Sequence, residues 1–243
     1  LIIDASREFK KGRAQNELLD SQVDQIFSWY ENNEDVEGVA RSVSLDEIKQ
    51  NDWNLNIPRY IDTQEEEDIH DIEAHMKGGI PARDVNDLNE YWEVYPNLKQ
   101  ALFSNNLRNN YYELQVDKDE IKSTIFSHSD FKDFQRRSEG IFKSWVNENK
   151  SQLESINSET KPKGLIKQIG GDLLHRYDQL RLVDPYTMYQ HLLDYWAETM
   201  KDDVYMIIEE GWKAELKPVM TSKGKKKKGE FYCDLLPVDL VID

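Results

Sequence analysis

The sequence predicts a mainly α-helical chain, a helical C-terminal region with a few short strands, preceded by the tail of an α/β domain. Three observations carry this reading. Apolar residues recur at helical spacing over long stretches, above all through Phe131, Phe134, Ile141, Trp145, Leu153 and Ile156. Strand-like runs are short by comparison, the best being residues 111–116, rich in aromatic and branched side chains. The chain also opens on an apolar tripeptide, Leu1, Ile2 and Ile3, leading into Asp4 and Ala5, which reads as the last buried strand of an α/β sheet. With no Met before it, that strand is expected to have lost its neighbours, and to be loose or rescued by another chain.

Each element follows from local chemistry. Residues 7–16 are polar and contain Gly12, as a surface loop does. Ser21 and Asp24 form a capping pair for a helix over residues 21–32, with Val23, Ile26, Phe27 and Tyr30 on its apolar side. A short strand is expected at residues 41–43, then a brief helix opened by the capping box of Ser44 and Glu47. Residues 55–59 are expected to be extended, because Pro58 pushes Ile57 out of the helical region. Residues 62–68 carry five negative charges and no positive one. They read either as a hinge between domains or as the solvated first turn of the next helix, where acidic side chains suit the helix dipole. As a hinge they divide the chain into residues 1–61, the tail of the first domain, and a helical region of residues 69–243.

Within that region Ile69, Ile72 and Met76 mark a helix face closed by Gly78 and Gly79. A helix opened by Pro81 and Asp84 carries Val85, Leu88, Tyr91 and Trp92, and another begins at Pro96 with Leu98, Leu102 and Phe103 on its apolar side. Asp117 is expected to cap a short helix holding Ile121, Ile125 and Phe126. After the long helix that follows Ser129 comes one through Leu165, Ile169 and Leu173, weakened by Gly170 and Gly171. Asp184 and Pro185 then begin a helix with Tyr189, Leu192, Leu193 and Trp196, and residues 204–208 add a shorter one. Lysines 223 and 225–228, flanked by Gly224 and Gly229, read as a hairpin tip between residues 216–220 and 231–235, and residues 240–242 as a last strand.

Composition limits the function. The chain has 31 Lys and Arg against 47 Asp and Glu, a net charge of −16, so its overall field repels DNA and only a local basic patch would touch it. The single cysteine, Cys233, excludes an intrachain disulfide framework and fits a reducing, cytoplasmic setting. No apolar run is long enough for a spanning helix, and no membrane association is expected. The spacing of Gly224 and Gly229 is that of a phosphate loop, but Glu230 and Phe231 stand where Lys and Ser or Thr are required. His70 and His75, five apart, would point about 140° away from each other on a helix, unlike two metal ligands on one face, so no metal site is expected. No nucleophile elbow occurs, and the aromatic residues at helical spacing read as core.

Residues 1–6, Lys11, Gly12, Gln15, Asn16, residues 43–48 and residues 54–60 resemble the end of the methyltransferase domain in modification subunits of type I restriction-modification systems. Residues 78–81, 91–103 and 184–204 are similar to the C-terminal region of those subunits. The resemblance implies an adenine-N6 DNA methyltransferase that uses S-adenosylmethionine and works with a specificity subunit and a restriction subunit. Its chemistry needs an Asn-Pro-Pro-aromatic tetrapeptide for the flipped adenine. The seven prolines here are never adjacent, and the glycine-rich cofactor loop is absent, so the chain is expected to be a non-catalytic C-terminal fragment that binds no cofactor itself. Its amphipathic helices suit docking onto the specificity subunit and equally suit packing on one another. Lys11, Arg13, Gln15, Asn16, Asn56 and Arg59 supply hydrogen-bond donors for DNA, or serve simply as loop and capping residues. The alternative is a free-standing helical interaction module whose acidic surface steers basic partners.

Overall fold

A computed structural model describes residues 1–63, 70–105, 108–222 and 224–235. Helix predominates, as expected. The opening strand is not left without a neighbour: β1 (Ile2–Ile3) pairs antiparallel with β2 (Ala40–Arg41), and the Asp4 N–H extends the ladder to Val39 O at 2.7 Å. Between them lies α1 (Asp20–Asn32). The second strand stops before Val43 because the Ser42 N–H turns to Asp35 Oδ1, 2.6 Å away. Ser44 Oγ accepts from the Glu47 N–H and starts α2 (Leu45–Gln50), as its sequence predicts.

Residues 55–59 are not extended throughout. Pro58 takes a first-turn position, where no N–H is needed, in a 3₁₀ turn, Ile57–Arg59, closed by the Tyr60 N–H on Ile57 O. The expected hinge at residues 62–68 and the position of Ile69 fall largely outside the described residues. In α3 (Ile72–Lys77), Ile72 and Met76 are 71% and 81% exposed, so the apolar side expected to be buried faces solvent.

The next helix divides in two, α4 (Ala82–Asn86) and α5 (Asn89–Val94). The Trp92 Nε1–H donates to Val85 O at 2.6 Å, the carbonyl that an uninterrupted helix would offer to the Asn89 N–H. Phe103 leaves α6 (Leu98–Leu102) for a strand instead of completing the helix face. A three-stranded antiparallel sheet forms with β5 (Tyr111–Leu114) central, between β3 (Ile80–Pro81) and β4 (Phe103–Asn105). The Phe103 ring meets Trp92 and Tyr112 edge-on, at centroid distances of 6.0 and 6.3 Å. Pro81 stays on an edge strand, where a missing N–H costs nothing.

A 3₁₀ turn, Lys118–Glu120, precedes α7 (Ile121–Ser127), and Asp117 makes no side-chain cap. The long helix α8 (Ser129–Glu154) spans 26 residues, about 39 Å at the usual rise. Its cap is His128, whose Nδ1 accepts from the Asp130 N–H at 3.2 Å. Then come α9 (Pro162–Tyr177) and α10 (Pro185–Tyr195), the latter capped by Asp184 as predicted. A wider turn of π type, Trp196–Met200, joins α10 to α11 (Lys201–Glu210). The last described elements are β6 (Lys217–Met220) and β7 (Lys226–Tyr232). The lysines at 226–228 therefore lie in a strand, and Thr221, Gly224 and Lys225 take part in the turn before it. The expected strand at 240–242 falls outside the described residues.

One core cluster runs from Tyr95, Leu98 and Leu102 through Phe134 and Trp145 to Ile169, Leu173, Trp196, Val204 and Ile207. Trp29, Ala40, Tyr60 and Ile61 are buried outside it. The two parts meet where α1 lies on α10. The Tyr189 hydroxyl donates to Asp24 Oδ2 at 3.1 Å, and Gln190 Oε1 accepts from the Ser21 N–H at 3.2 Å. Beneath the Tyr189 ring sits Gly170 of α9, where a Cβ would overlap ring carbon Cε2. Gly170 is therefore a packing requirement rather than a mere weakness in its helix. Among the described residues, no helix is long and apolar enough to cross a membrane.

Two outcomes follow at this joint. Gly170→Ala drives a methyl group into the Tyr189 ring and should lower stability by about 1–3 kcal/mol in a denaturant titration. Burial, and then the charge of Asp24, push the Tyr189 hydroxyl up from its ordinary 10.0 to about 12. The folded chain thus holds a proton that the unfolded chain releases, so this contribution is complete below pH 10 and is lost as pH rises toward 12. Thermal melts across that window should show a loss that Tyr189→Phe abolishes.

Candidate functional site

The predicted DNA-facing residues fall on two segments of the chain, a loop and a turn. The backbone of Lys10 and Glu17 pairs in both directions, at 2.7 and 3.0 Å, and closes a loop of residues 11–16. All of Lys11, Arg13, Gln15 and Asn16 stand on that loop, exposed. Asn56 and Arg59 are exposed on the 3₁₀ turn, which is tied down by the Arg59 N–H on Asn56 O and by the Tyr60 hydroxyl on Asn54 O. Among the described residues, no hydrogen bond joins the side chains of the loop to those of the turn.

A cleft of about 540 Å³ beside β2 is lined by Asp35, Glu37 and Asp62 with a single cation, Arg41. That guanidinium is already held by both carboxylate oxygens of Glu47, at 3.0 and 3.2 Å, and by Tyr60 O. Such a cleft disfavours phosphate. His70 lies ahead of α3, which Asp71 caps, and His75 lies within it, both exposed.

A different feature stands out in the helical region. An apolar groove of about 560 Å³ opens between α8, α9 and α10. Phe142, Val146 and Leu153 of α8 form one wall, Met188 and Tyr195 of α10 the other, and Leu173 of α9 lies on the floor. Phe142, Val146 and Tyr195 are 46%, 41% and 56% exposed, so these walls meet water. The frame beneath them is fixed by polar contacts. The Trp145 Nε1–H donates to Ile169 O at 2.9 Å, and the buried Asn149 amide donates to Trp145 O and to Asp172 Oδ2. Arg176 bridges Asp172 on its own helix and Glu148 on α8. Hydrogen bonds from Arg176 and then Ser144 hold the Glu148 carboxyl below its ordinary range.

The sequence reading missed this groove because it counted aromatic residues on these helices as core. The signal was present. Phe142 and Val146 each follow a core residue, Ile141 and Trp145, and broaden the apolar arc of α8 beyond what one packing partner covers.

Comparison with known proteins finds similarity over part of the chain. Residues 1–69 match the N-6 DNA Methylase family. The chain is 41% identical over 80 residues to the type I restriction enzyme MjaVII methylase subunit of Methanocaldococcus jannaschii, covering 32% of this chain and 14% of that protein. It is 34% identical over 106 residues to the MjaVIII methylase subunit of the same organism, covering 42% of this chain and 17% of that one. The expected similarity to type I modification subunits is therefore present, although the chain spans less than a fifth of the length of these relatives. No solved structure matches it.

Because the groove walls are exposed, Val146→Glu and Tyr195→Glu should each shift stability by less than about 1 kcal/mol. Thermal melts of the two variants check this.

Proposed function

We propose that this chain gives a type I adenine-N6 DNA methyltransferase subunit its assembly region, and that the helical part, after a boundary at residues 62–68, docks an amphipathic helix of the specificity subunit. The observation that carries the reading is the groove on α8, α9 and α10. Its α8 wall runs from Phe142 to Leu153, about 16 Å at the usual helical rise, which is three turns of a bound helix presenting anchors at i, i+4 and i+7. The chain's net charge of −16 draws a partner with a basic flank. The relatives are named as subunits of a restriction enzyme, which fits a multi-subunit setting in which the restriction subunit and DNA are reached through the same complex.

On this reading methyl transfer is performed by residues outside this chain, which has no Asn-Pro-Pro-aromatic tetrapeptide. S-adenosylmethionine, the cofactor that the family implies, does not fit the residues present. After β1 the chain turns into the polar loop of residues 11–16 rather than through a glycine-rich turn onto a helix N-terminus, and the nearest cleft is acidic. The complex is assigned to the cytoplasm. Lys11, Arg13, Gln15 and Asn16 face DNA from the loop, and Asn56 and Arg59 from the turn.

The chain and a specificity subunit should co-elute without DNA, and Val146→Glu with Tyr195→Glu should abolish that while leaving the fold intact. Co-elution that survives both changes would remove the groove from the account. In the assembled complex, Lys11→Ala with Arg13→Ala should weaken DNA binding uniformly across sequences and flatten the dependence of log affinity on log salt by about 1.8.

A further inference from the structure

The β6–β7 hairpin carries charge of the opposite sign to the rest of the chain. Residues 213–230 hold seven lysines and two glutamates, an excess of five positive charges in a chain of net −16, leaving −21 for the remainder. So steep a separation is what a local phosphate contact requires when the overall field is repulsive.

The hairpin also presents three of those lysines, Lys225, Lys226 and Lys227. Its turn is fixed by the Thr221 N–H on Lys225 O, the Lys225 N–H on Thr221 Oγ1 and the Gly224 N–H on Thr221 O. Pro218 stands opposite Phe231, while Met220 stands opposite Lys226, so β7 carries a wide bulge at residues 227–230. Gly229 makes the bulge possible with φ +79°. Lys225, Lys226 and Lys227 are exposed. Lys217 is engaged by Asp234 at 2.5 Å and Lys227 by Glu230 at 2.8 Å, whereas Lys225 and Lys226 form no ion pair among the described residues. Phe231 and Tyr232 beside them are 42% and 43% exposed, surfaces on which a sugar or base can rest.

We propose that this hairpin is a phosphate-binding finger that grips the DNA backbone, separate from both the docking groove and the loop of residues 11–16. The choice of DNA as the phosphate source rests on the N-6 DNA Methylase match of residues 1–69. The contact carries no sequence information, because lysines on phosphates position a protein without reading bases.

The test is fluorescence anisotropy of the full chain with a short mixed-sequence DNA duplex, titrated with salt, comparing wild type with Lys225→Ala, Lys226→Ala and Lys227→Ala combined. The wild type should bind, and the variant should lose about 2.7 from the slope of log affinity against log salt and at least tenfold in affinity at about 50 mM salt. An unchanged slope, or a wild type that ignores the duplex while binding vesicles of equal phosphatidylcholine and phosphatidylserine, overturns the proposal. Co-elution of the same variant with the specificity subunit should be unimpaired, and it reports on the groove alone, so the two ideas fail separately.

Discussion

The joint between α1 and the helical region rests on two neighbouring side chains of α10, Tyr189 and Gln190. Tyr189 lies against Gly170 and reaches across to Asp24, so α9, α10 and α1 meet at its ring and hydroxyl. The segment similar to N-6 DNA methylases and the helical region have separate buried residues, and Gln190 on the Ser21 N–H adds the second tie that sets the angle of α1. The hydroxyl-to-carboxylate bond is charge-assisted, and the missing side chain at position 170 is what lets the Tyr189 ring lie close to α9.

Much of the fold could be read from the sequence, for reasons that are local. Asp184 and Ser44 cap their helices because a short polar side chain beside a new helix has few better uses than its free N–H groups. The apolar period of α8 survived even Gly140. What could not be read depends on contacts distant in sequence. Phe103 becomes a strand residue because Leu114 is opposite it and Trp92 beside it, and Trp92 itself divides a helix by taking the Val85 carbonyl. His128 caps α8 through a ring nitrogen, a role that composition does not advertise. Ile72 and Met76 have the spacing of a buried face but lie in a six-residue helix that finds nothing to cover among the described residues.

The candidate sites divide in the same way. Loop residues with donors were identifiable by type, and four of the six fall in the loop expected at residues 7–16, but the pairing of Lys10 with Glu17 that closes it joins backbone groups that composition does not mark. The groove was hidden for the opposite reason. An apolar arc wide enough to serve two partners looks, in one dimension, like a generous core, and only the positions of α9 and α10 reveal which edge of it is left over. The lysine run was visible from the start, but its strand and bulge were not.

The wider turn at Trp196–Met200 adds a point about tolerance. On a regular helix, Val204, eight residues after Trp196, would stand about 80° from it, and Ile207, eleven residues after, about 20°. By absorbing one extra residue, the turn brings Val204 to within about 20° of Trp196 and moves Ile207 to the flank of that line, and both stay buried. Which residue of α11 continues the buried line of α10 is therefore set by the width of this turn. A one-residue change in length is harmless where a turn can widen or tighten to accommodate it, and the same change inside α9, beneath Tyr189, has nowhere to go.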